Sequence, residues 1–206
     1  MPADFPPPLP AFEYVVATTG MSKGLSQTEG PQVLSRGSLR FGSAQAGVQW
    51  KNLSSPSADG EGSLFWAVSS NSGPLQLNAG IAWKFQTGAA RGTDSRALEL
   101  TAAASRKFGS VTLKANAIYS PDDLGPATQS LFVEAGPALK LGKGWAVSAA
   151  VGQRYRHGAS GYSSLNFGIG RTLGSAQFDL RVYATDKADL GPAYRRRLVG
   201  SLKMAF

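Results

Sequence analysis

Cysteine is absent from all 206 residues, so neither a disulfide framework nor a thiolate metal site can be part of this protein. Only one histidine occurs, His157, and charged residues make up just 17% of the chain. No apolar run approaches the roughly 20 residues that a membrane-crossing helix needs, which excludes a helical membrane protein. No phosphate-cradling glycine loop, zinc spacing or calcium loop is found, and no cofactor is expected. The first residues are Pro-rich rather than charged and then apolar, so they do not read as a signal peptide. Residues 1–11 are expected to form an extended tail on the periplasmic side, because each proline fixes φ and removes a backbone donor.

What is present is a rhythm of turns. Tight turn signals fall at Gly42-Ser43, Gly73-Pro74, Gly109-Ser110, Leu141-Gly142-Lys143-Gly144 and Gly174-Ser175. Between them lie wider polar stretches at 20–31, 53–61, 86–94, 120–129, 154–161 and 184–193. Short turns at one rim and long loops at the other, joined by alternating segments of roughly 9–11 residues, are the pattern of a transmembrane β-barrel. The tight turns recur about every 33 residues, one hairpin per repeat, and the period-two segments exclude helical repeats of similar length. A mean hydropathy of −0.13 does not argue against a membrane, because the apolar belt of a barrel is spread over every second residue.

The alternation is clearest near the terminus. Leu198, Leu202, Met204 and Phe206 share one face, and Arg197, Ser201 and Lys203 the other. Phe178, Leu180 and Val182 oppose Gln177, Asp179 and Arg181, while Leu75, Leu77, Ile81, Trp83 and Phe85 oppose Gln76, Asn78 and Lys84. About twelve antiparallel strands are expected, an even number that closes the sheet and leaves no edge in lipid. Pro137 cannot donate to a ladder and is expected near a strand end or a bulge. Phe41, Phe108, Trp145, Phe178 and Phe206 lie near the tight turns, and Trp50, Trp83, Phe85 and Tyr119 toward the long loops, which makes two aromatic girdles. The expected fold is therefore an all-β, up-and-down transmembrane barrel formed by residues 12–206 as one domain in a bacterial outer membrane, with short periplasmic turns and longer extracellular loops. The competing reading is a soluble sandwich or lipocalin-like barrel with the apolar faces turned inward.

The first loop reads Gly20-Met-Ser-Lys23-Gly24-Leu-Ser26-Gln27-Thr28-Glu-Gly30-Pro31. It resembles the opening of the TorF-family porins, whose first strand runs into an Arg-Gly-x-Ser-Gln-Thr-x-Gly-x-Pro stretch. Lys23 takes the arginine position here, and one residue is missing between Gly30 and Pro31. The resemblance implies a porin-like barrel and supplies no substrate. A terminal phenylalanine such as Phe206 also resembles the signal by which such barrels reach the outer-membrane assembly machinery. Physically, Lys23, Gly24, Ser26, Gln27 and Thr28 can fold back through side-chain to backbone hydrogen bonds. Such a loop either constricts the pore mouth or merely seals the barrel end.

The formal net charge is +8. Strand parity turns Arg40, Lys51, Lys84, Lys114, Arg154, Arg181, Arg197 and Lys203 inward, together with Glu99, Glu134 and Asp179, giving a positive interior. Inward cations bias a pore toward anions; alternatively they pair with acids and plug a narrow barrel. Arg195, Arg196 and Arg197 are too short a run to argue for nucleic acid. Arg196 has lipid-facing parity at the outer interface, where it can bind lipopolysaccharide phosphates or simply be solvated. His157 and Ser160 share a loop without a third partner, so an enzyme is not expected. Two functions stand: a channel for passive diffusion of small, anionic solutes, or an occluded structural or lipopolysaccharide-binding barrel. The partners expected are outer-membrane lipids, lipopolysaccharide, the assembly machinery and small solutes.

Overall fold

The computed structural model describes residues 7–55, 58–89, 94–124 and 127–206. The first six residues of the expected tail and parts of the stretches 53–61, 86–94 and 120–129 lie outside them.

Period-two alternation produces a single closed antiparallel barrel of twelve strands. In chain order these are β1 (Leu9–Ala17), β2 (Gln32–Phe41), β3 (Ala44–Ser55), β4 (Ala58–Ser72), β5 (Leu75–Thr87) and β6 (Arg96–Phe108). They continue with β7 (Val111–Asp122), β8 (Gln129–Gly142), β9 (Trp145–His157), β10 (Tyr162–Leu173), β11 (Ala176–Thr185) and β12 (Arg197–Ala205). Each strand pairs with its chain neighbours, and β1 closes on β12. There Phe12 N donates to Phe206 O at 3.0 Å and Phe206 N to Phe12 O at 2.9 Å.

The tight turns follow from glycine. Gly42, Gly73, Gly109 and Gly174 each have φ between 56° and 60°, and the residues after them do not share positive φ. That is the type II′ hairpin turn, whose twist suits the flanking strands.

The apolar residues face outward. Val151 is 62% exposed, Phe167 57% and Trp66 53%, whereas Lys51, Glu61 and Glu99 are buried. A soluble sandwich would show the reverse, so this surface can be covered only by hydrocarbon. The fold is a transmembrane β-barrel.

Three expectations need correction. The β1 strand begins at Leu9, so Pro10 is in the ladder with β2, opposite Leu39. Pro10 is tolerated because its nitrogen points the same way as that of Phe12, to the side where β12 has already ended and no acceptor waits among the described residues. Pro137 is inside β8, not at its end; it pairs with Leu113 of β7, while the ladder to β9 lapses at Gly136 and Pro137. Most of 53–61 is strand rather than loop, and strands run from 9 to 15 residues.

The upper β3–β4 hairpin is held by rings lying over outward glycines. A Cβ on Gly60 would meet Trp50 Nε1 at 3.0 Å, and one on Gly62 would press into the Phe85 ring. Aromatic cover of this kind replaces the packing that glycine lacks. Phe85→Ala is expected to cost about 1 kcal/mol, the upper range for a cross-strand pair. Faster amide exchange confined to Gly60–Gly62 would be its local signature.

Candidate functional site

The lumen is divided by the first loop. Within residues 18–31, Met21–Ser22 pairs with Leu25–Ser26 in a small hairpin. Its tip, Lys23-Gly24, has φ of 50° and 80°, as a two-residue type I′ turn requires. The base is tied by its own polar side chains: Gly20 N donates to Thr28 Oγ1 at 2.7 Å, Ser26 Oγ to Thr28 O at 2.7 Å, and Gln27 N to Gly20 O at 2.8 Å. The side-chain to backbone bonding expected of this loop is thus present.

The hairpin crosses the interior. Lys23 Nζ reaches Glu99 on β6 at 2.6 Å, while the Lys23 carbonyl accepts from Tyr162 Oη on β10, also at 2.6 Å. At the third side, Lys51 Nζ of β3 donates to Gln27 Oε1 at 2.6 Å. Gly24 is needed twice over, for its positive φ and because a Cβ there would sit 2.6 Å from Ser164 Cβ.

On the β3–β6 wall these contacts join a chain of alternating charge. Lys51 pairs with Glu61 at 3.1 Å, Glu61 with Lys84 at 3.1 Å, Lys84 with Glu99 at 3.1 Å, and Glu99 with Lys23. Each strand contributes one member, so inward parity and strand stagger build the chain. Burial lowers the pKa of Lys23, an effect that Glu99 partly offsets.

The opposite wall is richer in arginine. Arg154 on β9 pairs with Asp123 at 2.6 Å. Burial raises the Asp123 pKa, but hydrogen bonding from Ser130 and the Arg154 charge outweigh it and hold the carboxyl below its usual range. Arg156 Nη1 donates to Tyr194 Oη at 3.1 Å, and Arg197 Nη2 to the Pro192 carbonyl at 3.2 Å. Back on the first wall, Arg36 of β2 stacks over Phe65 of β4 at 4.0 Å. Arg36, Arg156 and Arg197 have no carboxylate partner among the described residues. The last loop, through its 3₁₀ turn Pro192–Tyr194, sets Tyr194 edge-on against the buried Tyr162 at 5.4 Å.

Two cavities result. The outer one, about 520 Å³, is bounded by the hairpin, Glu61, Glu99, Arg154, Arg156 and Tyr194. The inner one, about 510 Å³, lies toward the tight-turn rim beside Lys114, Asn116, Glu134, Asn166 and Arg181. Here Arg181 is held by Asp179 at 3.1 Å, Asn166 Oδ1 at 2.6 Å and Ser148 Oγ at 2.8 Å, and Asn166 in turn donates to Glu134 at 3.1 Å.

The structure sorts the residues assigned inward by parity into different company. Lys51, Lys84 and Glu99 join the ionic chain; Arg154 meets Asp123; Arg181, Asp179 and Glu134 form the inner cluster; Lys203 pairs with Glu13. Lys114 lines the inner cavity, Arg40 is exposed at the tight-turn end of β2, and Arg197 is under the last loop. Arg196 is exposed just before β12, and His157 is exposed at the end of β9. Glu13, Arg36, Glu61, Asp123, Arg156, Tyr162 and Tyr194 escaped the sequence reading. Of these, Arg36 had a usable signal: it shares parity with Arg40 on the same strand.

No protein-family model and no curated protein sequence matches the chain. Solved porin structures share its fold. A KdgM porin superposes with a TM-score of 0.66 at 8% identity, covering 95% of this chain and 99% of that one. The KdgM porin in complex with disordered oligogalacturonate gives 0.65 at 9% identity, covering 95% and 99%. The NanC porin gives 0.62 at 5% identity, covering 94% and 97%.

Proposed function

We propose that this protein is an outer-membrane channel for passive diffusion of small anionic solutes, of which acidic saccharides are one class. The observation that carries the reading is the charge imbalance of the lumen. Inward acids Glu13, Glu61, Glu99 and Asp179, with Asp123 of the seventh-to-eighth strand connection, are engaged by cations and Glu134 by Asn166, while Arg36, Arg156 and Arg197 face the interior without a carboxylate and outnumber that one acid left without a cation. In a low-dielectric cylinder such a surplus focuses positive potential on whatever passes. The porin fold and the neighbour bound to oligogalacturonate support it, as does the first-loop resemblance to TorF-family porins. Lys23, Gly24, Ser26, Gln27 and Thr28 form the constriction. The eleven inward residues from Arg40 to Lys203 line the path, Arg181 and Lys114 taking over below the hairpin. Lipopolysaccharide at Arg196, Phe206 as an assembly signal and the absence of catalysis complete the proposal.

Planar-bilayer recording under a salt gradient tests it. Anion-over-cation permeability is expected at about fivefold, the factor that ~1 kcal/mol of lumen potential supplies. Arg156→Gln with Arg197→Gln should bring that ratio toward unity. Cation preference would remove the anionic part, and a complete lack of single-channel steps would remove the channel. The hairpin's tethers on three walls favour a second reading, an occluded structural or lipopolysaccharide-binding barrel, which that last outcome selects.

A further inference from the structure

The outer face carries an apolar groove of about 890 Å³ across β9–β12 and β1. Its walls are Val16, Ile169, Phe178, Leu180 and Leu202, and its floor includes Gly200, beside which the nearest atom to an added Cβ is Thr18 Cγ2 at 3.8 Å. The groove therefore exists because a glycine occupies a lipid-facing position where every neighbouring outward residue has a side chain. One end lies at the base of the first loop, at Thr18 and Pro31, and the other at the tight-turn rim.

At that rim the groove meets a cation. Arg171 has outward parity on β10, opposite Trp145 on one neighbouring strand and Phe178 on the other. Its guanidinium carbon lies 5.1 Å from the Trp145 ring centroid. Its Nε is buried with no hydrogen-bond partner, and no carboxylate among the described residues pairs with it. A guanidinium at the hydrocarbon boundary needs an anion, and a planar fork suits phosphate oxygens. Asp179, the carboxylate that also lines the groove, is engaged by Arg181, which leaves a lipid phosphate to supply the anion.

From the Arg171 guanidinium at one end of an open apolar groove, we infer that β9–β12 and β1 form a specific site for one glycerophospholipid of the periplasmic leaflet. The phosphate is held by Arg171, and an acyl chain lies along the groove over Gly200. The site rests on the membrane-spanning reading of the fold and is independent of channel activity, so a barrel without conductance would leave it untouched.

A second outward pair provides an internal control. Arg106 stacks over Phe108 at 5.1 Å, but neither residue lines this groove. The detergent-solubilised full-length barrel, mixed with phosphatidylethanolamine or with lipid A, is examined by native mass spectrometry. One retained phosphatidylethanolamine per barrel is expected, with retention falling about tenfold in Arg171→Gln. Gly200→Val, which fills the groove and leaves the charge, should reduce it similarly, while Arg106→Gln should not change it. Retained heat-modifiable migration shows that each variant is folded; if Gly200→Val fails that check, Arg171→Gln against Arg106→Gln decides. Unchanged retention in Arg171→Gln, equal loss in Arg106→Gln, or preferential retention of lipid A would each overturn the assignment.

Discussion

Lys84→Met is expected to cost the folded barrel about 3 kcal/mol, the lower end of the range for breaking a buried ion pair from one side. Lys84 is the middle of the chain that runs from Lys51 to Lys23, and it lies 3.1 Å from both Glu61 and Glu99. Methionine keeps the volume and removes the charge, so two neighbouring buried carboxylates would face each other across an apolar side chain. Each keeps one lysine, Lys51 for Glu61 and Lys23 for Glu99, which is why the cost stays at the low end. Denaturant titration of the barrel in micelles reads it directly. Adding Glu61→Gln and Glu99→Gln to Lys84→Met should deepen the loss rather than recover it, because Lys51 and Lys23 would then be buried without their carboxylates. A Lys84→Met barrel as stable as the unsubstituted protein would mean that water within the lumen solvates these groups.

The same chain marks the boundary of what is legible in the amino-acid sequence. Strand faces are legible where lipid in the hydrocarbon zone imposes an uninterrupted period of two, as in Leu77, Ala79, Ile81, Trp83 and Phe85, and less so in β2, whose outward positions include Ser35 and Gly37. Above that zone both faces are wet and the constraint lapses. Gly60-Glu61-Gly62 thus reads as a loop, although Trp50 and Phe85 cover the two glycines and keep the strand intact, with Glu61 turned inward. Arg156 and Tyr162 are lost in the same way, at the upper ends of β9 and β10. Tyr194 has no periodic signal at all, since its position depends on a 3₁₀ turn docking onto residues more than thirty positions away. Parity assigns lysines to the lumen but not to partners: which carboxylate lies beside Lys84 depends on the stagger of β4, β5 and β6.

Replacing residues 21–26 by two glycines is expected to raise single-channel conductance severalfold. Gly20 and Gln27 are already bonded across the base of the hairpin, so a two-residue bridge preserves that closure, the Lys51–Gln27 contact and the Thr28 tie. What disappears is the tip that reaches Glu99 on one wall and Tyr162 on another. The outer cavity would then open toward the inner one, because Ser22, Lys23, Leu25 and Ser26 are among the residues that bound it. Glu99 keeps Lys84, so the barrel itself should lose little stability. Gly24→Val gives a graded version: the positive φ and the contact with Ser164 should displace the tip without removing it, producing noisy, flickering current rather than a larger steady one. Equal conductance in the glycine-bridged variant would place the narrowest point elsewhere, at the Arg181–Asn166–Glu134 cluster below. Steps that occur only after the tip is removed would instead make the hairpin a plug, held in place by Lys23, Gln27 and Tyr162.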